Sequence, residues 1–278
     1  MFAGGVAWAS DIHWSYGGDT GPEYWGDLSP EFATCSSGTE QSPIDIASAA
    51  PLNPADLVFS YEPSALTVVN NGHTIQANYD PGSTFEVDGL SYQLLQFHFH
   101  NPSEHTVDSS ATPMELHLVH KNDRGELAVV GVFLIEGAEN AALAPVFANM
   151  PDEEGEPVAV DGISVDAAGV LPADQTYWRY NGSLTTPPCS EKVKWFVMTD
   201  PVEVSAEQLA AYTELYSGNA RPVQPINERE FIVGSVPSTM PTTGVTLGDS
   251  ANIVVVVVGT LLALVVLAGH SARHRRQA

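Results

Sequence analysis

The two stretches of this chain best suited to chemistry are Gln96-Phe97-His98-Phe99-His100 and Glu115-Leu116-His117-Leu118-Val119-His120. Side chains two apart on a strand point to the same face, so His98 and His100 converge while Phe97 and Phe99 pack behind them. His117 sits in the second run, with Glu115 two residues earlier on the same face. Two imidazoles from one strand and a third from a neighbour supply three nitrogen ligands and leave a fourth position open, the pattern of a catalytic zinc site. The plain alternative is three core histidines satisfied by hydrogen bonds. Their stacking on two apolar strands argues against it. Glu115 is spaced to accept the second ring N–H of a ligand, since an unpaired buried carboxylate would be costly.

The elements that must position these groups are mostly strands. Leu66–Val69 and His73–Ala77 flank Asn70-Asn71-Gly72, a hairpin turn signal. Leu127–Ile135 is a continuous apolar run of the kind a central strand shows. The clearest helix spans Ser205–Ser217, with a Ser205/Gln208 capping box and Gly218 at the C′ position. Few helices, many strands and no βαβ rhythm predict a mainly β domain with a largely antiparallel sheet, without repeats or a second domain.

The 278 residues carry 34 acids against 10 bases, a formal charge of −24. Three of the bases, Arg273, Arg275 and Arg276, lie in the final tail. A surface this acidic, without a basic patch, excludes nucleic acid as a partner. Solubility and adaptation to high salt both fit the excess.

Residues 252–269 form an uncharged apolar run, roughly 27 Å long as a helix, just enough for a bilayer core. The basic tail 270–278 follows, so the positive-inside rule keeps it cytoplasmic and turns the acidic domain outward. The expectation is a catalytic domain at 11–234, a Pro/Ser/Thr/Gly-rich stalk at 235–251, a transmembrane helix at 252–269 and a tail at 270–278. Met240-Pro241-Thr242-Thr243-Gly244 before the apolar run also resembles a sortase sorting signal, with Met in place of the usual Leu. A plain membrane anchor with the domain extracellular or periplasmic is the preferred reading, and attachment to the cell wall the alternative. Residues 1–10 have neither a basic start nor an adequate apolar core, so the outward-facing reading expects the true start upstream.

Several ordered motifs together resemble the α-class carbonic anhydrases, in their compact bacterial form. They are His13–Gly17, Gly21–Trp25, Gln41–Asp45, Asn70–His73, the two histidine runs, Pro102–Asp108, Gly182–Pro188, Arg221–Pro225 and Asn227–Arg229. The likeness spans about residues 11–233, and ordered motifs are far more specific than any one alone. After His100 the chain passes directly to Asn101-Pro102-Ser103-Glu104, shorter than the animal enzymes and without their Trp.

The resemblance implies a large twisted central sheet with short peripheral helices, one Zn2+ per chain on His98, His100 and His117, and reversible hydration of CO2 by a zinc-bound hydroxide. It assigns Glu115 to His117 and Gln96 to His98 as hydrogen-bond partners of the ligands. It implies that Thr185 accepts a hydrogen bond from the hydroxide and donates one to Glu104. His73 becomes the proton shuttle, with Tyr16 ordering the intervening waters. By the same resemblance Val119, Val129, Leu184, Val193 and Trp195, which on sequence grounds alone are strand-core residues, would line the CO2 wall, and Thr186 would lie near departing bicarbonate. The resemblance also implies a disulfide between Cys35 and Cys189, where two unpaired buried cysteines are the alternative. By loop closure such a bond would remove unfolded-state entropy worth about 5 kcal/mol, and its formation would mark an oxidising compartment. The competing reading is a non-catalytic surface binding module of the same fold; relatives of that kind have lost ligand histidines, and this chain keeps all three.

Overall fold

Short runs rich in Val, Ile, Phe, Tyr and Thr fold as strands through most of the chain. The computed structural model describes residues 12–46 and 57–229. Among these residues the strands are β1 (Asp45–Ile46), β2 (Val58–Ser60), β3 (Ser64–Asn70), β4 (Ile75–Asn78), β5 (Thr84–Val87), β6 (Leu90–His100), β7 (Thr106–Val107), β8 (Met114–Lys121), β9 (Leu127–Glu136), β10 (Val158–Val165), β11 (Tyr177–Ser183), β12 (Glu191–Met198) and β13 (Val202–Val204). The helices are short: α1 (Trp25–Leu28), α2 (Thr34–Ser37), α3 (Ala144–Phe147) and α4 (Ala206–Leu215).

Eleven strands form one sheet whose spine runs β10-β3-β4-β6-β8-β9-β12-β11. β5 joins beside β6 and carries β2, while β13 pairs with β9. The pairings of β9 with β12 and β13 are parallel; the other pairings in this sheet are antiparallel. β1 and β7 make a separate parallel pair. The result is a mainly β fold with a mixed, mostly antiparallel sheet.

Alternation divides the central strands between two apolar layers. Phe97, Phe99, Leu116, Leu118, Val130, Val132 and Phe196 enter the larger one. Val129, Phe133, Val193, Trp195 and Val197 enter a smaller cluster on the other face with Ile44, Ile46 and Tyr180. A third group, Trp25, Phe32, Cys35 and Cys189, packs with Trp14 and Tyr16 around the disulfide.

Two boundaries differ from the sequence expectation. The strand after the Asn-Asn-Gly turn begins at Ile75 rather than His73, because Asn71 Oδ1 accepts from the backbone N–H groups of His73 (3.1 Å) and Thr74 (2.9 Å). His73 therefore stays in the turn. Helix α4 has its Ser205/Gln208 capping box but ends at Leu215. Tyr216 is extended (φ −132°, ψ 110°), and the N–H groups of Gly218 and Asn219 turn to the carbonyl of Asn101 (2.9 and 3.1 Å). Gly218 thus serves the exit loop (φ +82°) rather than the helix C′ position.

No helix among the described residues is long and apolar enough to cross a membrane. The expected transmembrane helix at 252–269, the expected stalk at 235–251 and tail at 270–278, the pentapeptide Met240–Gly244 and the segment 1–11 all lie outside the described residues.

Candidate metal centre

β6 and β8 are antiparallel neighbours in which His98 faces His117 and His100 faces Glu115. Directly opposed residues share a face of the sheet. That register, with the two-residue spacing in β6, brings the three imidazoles together: ring centroids lie 5.1 Å (His98–His100), 5.3 Å (His98–His117) and 4.6 Å (His100–His117) apart. One ligand atom from each lies within 4.8 Å of the others.

Each ring commits its other nitrogen to an oxygen that can only accept a hydrogen bond. His98 Nδ1–H donates to Gln96 Oε1 (2.9 Å), His100 Nδ1–H to the carbonyl of Asn219 (2.8 Å) and His117 Nε2–H to Glu115 Oε1 (2.9 Å). The lone pairs left over belong to His98 Nε2, His100 Nε2 and His117 Nδ1. His100 Nε2 is buried without a hydrogen-bond partner, an unfavourable position for a polar atom that a metal would occupy. Burial holds all three rings in the neutral form, His98 well below the usual histidine range, His100 down to about 4 and His117 lowered. Neutral imidazoles with fixed tautomers are what a divalent metal needs. Three nitrogen donors fit zinc with an open fourth position.

Glu115 is fully buried and has three donors. His117 Nε2–H and His105 Nδ1–H (2.8 Å) reach Oε1, and the backbone N–H of His105 reaches Oε2 (2.8 Å). Burial alone would raise its pKa, but His105 and His117 together hold it well below the carboxylate range. The group His105, Glu115 and His117 also has metal-like spacing; these residues are already engaged with one another and support the triad rather than forming a second centre. His105 Nε2 continues the chain to Tyr180 OH (2.7 Å), whose oxygen lies 2.8 Å from Ser42 Oγ. Gly131 makes room for the carboxylate. It faces His117 across β8–β9, and a Cβ there would lie 2.8 Å from Glu115 Oε1.

Glu104 lies behind the triad, 1% exposed, with Oε2 3.9 Å from His117 Nδ1. Its Oε1 accepts from the backbone N–H of Arg221 (2.9 Å). Burial pushes its pKa up to about 7, opposed by His117, the Arg221 N–H and the Thr185 hydroxyl. Thr185 is buried on the loop after β11. That loop is fastened by Leu184 N–H to the carbonyl of Ser190 (3.0 Å), by Cys189 N–H to that of Thr186 (2.8 Å), and by the Cys35–Cys189 disulfide. Such a bond belongs to an oxidising compartment.

Val129, Val193 and Trp195 form one apolar cluster, with Val119 and Leu184 packed against it. It borders the triad: the Trp195 ring lies 4.8 Å from that of His117. Thr186 is half-buried on the same loop as Leu184. His73 is stacked on Trp14 at 3.6 Å with planes 10° apart, and Tyr16 stands edge-on to Trp14 at 5.5 Å. Burial lowers the His73 pKa, Glu154 raises it and His13 lowers it. Burial raises that of Tyr16, which keeps the phenol protonated. His120 points to the opposite layer, where its Nε2 meets Tyr61 OH at 2.7 Å.

Asn219, Trp14 and Glu154 are members of this neighbourhood that sequence reasoning did not single out. Asn219 acts through a backbone carbonyl, which leaves no residue-type signal. Trp14 lay within a quoted motif but without an assigned task.

The profile of the eukaryotic-type carbonic anhydrases matches residues 20–234. The chain is 46% identical to a carbonic anhydrase of Nostoc sp. over 229 residues, covering 81% of this chain and 87% of that one. The α-carbonic anhydrase of Thermovibrio ammonificans, solved with sulfanilamide, superposes with a TM-score of 0.76 at 45% identity, over 81% of this chain and all (100%) of that one. Dioscorin, solved with ascorbate, shares the fold at 30% identity and a TM-score of 0.72, over 79% of this chain and 96% of its own. With its histidine triad in the register described above, the chain belongs to the α-class, eukaryotic-type carbonic anhydrases, lyases that hydrate CO2 to bicarbonate and a proton.

Proposed function

We propose that His98, His100 and His117 hold one zinc ion per chain, and that the surrounding residues divide the work of CO2 hydration among them. The observation that carries this is the commitment of each second ring nitrogen to its own acceptor, which leaves three neutral nitrogens converging on one point. Zinc bound there supplies Lewis-acid chemistry that acidifies water at its open position.

The protein's residues do the rest. Gln96, the Asn219 carbonyl and Glu115 fix the three ring orientations. Glu104 and Thr185 orient the attacking oxygen: the carboxylate accepts a hydrogen bond from the Thr185 hydroxyl, and the Thr185 oxygen is left to accept one from the nucleophile. Val119, Val129, Leu184, Val193 and Trp195 give apolar CO2 a dry wall beside the metal. Thr186 contacts the departing bicarbonate. His73 takes the released proton on an imidazole nitrogen and passes it to solvent, with Tyr16 ordering the waters between.

A second reading rests on the similarity to dioscorin, which was solved with ascorbate: a binding module of this fold. One experiment separates the two. Stopped-flow CO2 hydration, with and without a zinc chelator, is measured alongside metal analysis. Zinc near one per chain with chelator-sensitive turnover supports the enzyme. Zinc without turnover supports the binding module.

Residues 11–234 would form the catalytic domain. Residues 252–269 would anchor it to a membrane, through the stalk at 235–251, with the domain outside the cytosol and the 270–278 tail inside. Sortase processing within Met240–Gly244 is the alternative, leading to the cell wall. The intact mass of the protein released from cells distinguishes them: a full C-terminus supports the membrane anchor, and truncation within the pentapeptide supports sorting.

A further inference from the structure

The turn that carries His73 is bound to an acidic loop. The Gly155 N–H donates to the carbonyl of Asn70 (3.0 Å), and Asn70 Nδ2 donates to the carbonyl of Pro151 (3.0 Å). Tyr216 OH holds Asn70 Oδ1 from the other side. These bonds lay the 151–155 segment against Asn70-Asn71-Gly72-His73, with the Glu154 carboxylate over Gly72. Its carboxylate fills the space in which a side chain at position 72 would begin. A Cβ on Gly72 would lie 2.7 Å from Glu154 Cδ and 2.8 and 3.0 Å from its two oxygens. Gly72, at φ +82°, is therefore required both for the turn and for the carboxylate.

We propose that Glu154, held over Gly72 beside His73, is a positioning residue of the proton-transfer step that stabilises the protonated imidazole against the desolvation imposed by its stack on Trp14. The proposal rests on the shuttle reading of His73. An imidazole pressed against an indole and half-buried loses water that would solvate its cation. An adjacent carboxylate returns part of that stabilisation. The charged groups that act on His73 are Glu154, which favours the cation, and His13, which opposes it when protonated. A proton acceptor works best when its pKa lies near that of the donor and the operating pH. Without Glu154 the desolvated imidazole would be a weaker base.

The test uses the zinc-loaded full chain and two readouts. One is the titration of the His73 ring followed by NMR; the other is CO2 hydration in weak buffer and in concentrated imidazole. Glu154→Gln keeps the side chain's shape over Gly72 and removes its charge. The expected result is a His73 titration displaced to lower pH and turnover in weak buffer near neutrality reduced roughly two- to fivefold by Brønsted behaviour. Added imidazole should make up the loss, and Glu154→Gln should have no further effect in a His73→Ala background. If Glu154→Gln leaves the His73 titration and the weak-buffer rate unchanged while His73→Ala still slows turnover, the role of Glu154 is overturned and the shuttle stands. If His73→Ala turns over normally in weak buffer, the shuttle reading fails and this proposal falls with it.

Discussion

The backbone N–H of Arg221 donates to Glu104 Oε1 across 2.9 Å, while its guanidinium is held by the disulfide region. Its two terminal nitrogens donate to Gln41 Oε1 (2.9 Å), the carbonyl of Ser42 (2.8 Å) and the carbonyl of Cys35 (2.9 Å), with the Trp25 ring 5.6 Å below. Burial lowers the guanidinium pKa to about 10, which leaves it charged at neutral pH. One residue thus connects the carboxylate behind the metal site to one half of the disulfide. The other half is tied in as well: Gln41 Nε2 donates to the carbonyl of Cys189 (3.1 Å), on the loop that carries Thr185.

Glu104→Gln tests the orienting role directly. The three ligand rings keep their partners, so zinc content should stay near that of the parent protein. An amide in place of the carboxylate turns a donor toward Thr185, and kcat/KM should fall about 100-fold or more, as when a preorganised hydrogen bond to the reacting oxygen is lost. Metal analysis and stopped-flow hydration on one preparation decide it. Full zinc with full activity would remove Glu104 from the chemistry.

Opening the disulfide should act mainly on stability. The bond joins residues 154 apart, and the loop-closure model assigns such a link about 5 kcal/mol. The double substitution Cys35→Ser with Cys189→Ser should lower the urea midpoint accordingly. A change below about 1 kcal/mol would mean that the Arg221 and Gln41 hydrogen bonds hold the two segments without it.

A glycine in the middle of a central strand usually weakens it, and Gly131 persists for the reason its neighbour Glu115 supplies. Gly131→Ala would put a methyl group 2.8 Å from a carboxylate oxygen that three donors hold in place. The expected cost is about 1–3 kcal/mol of overpacking, with zinc affinity weakened on the order of 10- to 100-fold as His117 loses its orientation. Gly155→Ala, where the new carbon meets nothing within 4 Å, is the control. Equal zinc affinity in the two variants would show that Glu115 does not orient His117.

The metal ligands were legible because strand periodicity and coordination chemistry ask for the same spacing: His98 and His100 share a face by alternation, and His117 needs only the register that β8 supplies. The sheet was legible from its apolar runs, and α4 from its capping box. What the residues did not reveal depends on backbone groups or distant contacts. The partner of His100 is the carbonyl of Asn219, 119 positions away, and any residue at 219 would offer that carbonyl. The extra length assigned to α4 and to the strand after Gly72 has a related cause, since a tertiary bond to Asn101 and a side-chain turn at Asn71 overrode local propensity. The wall residues read only as strand core, because one side of an apolar strand looks like the other until the metal site identifies the working face.

His120 shows that difference between faces, and it makes the last prediction. It lies three residues after His117, fully buried in the opposite layer, with Nε2 2.7 Å from Tyr61 OH and the Phe85 ring 4.8 Å away. Burial lowers its pKa from 6.5 to about 3. Between those two values the unfolded chain binds a proton at this residue and the folded chain does not, so protonation favours unfolding and stability falls as pH drops through that window. His120→Gln removes this term while keeping a polar group opposite Tyr61. Urea midpoints measured from pH 7 to pH 4 should therefore fall less steeply for the variant than for the parent. Loss of zinc at low pH affects both proteins alike, so the difference between the two curves isolates His120, and parallel curves would show that it titrates normally in the folded state.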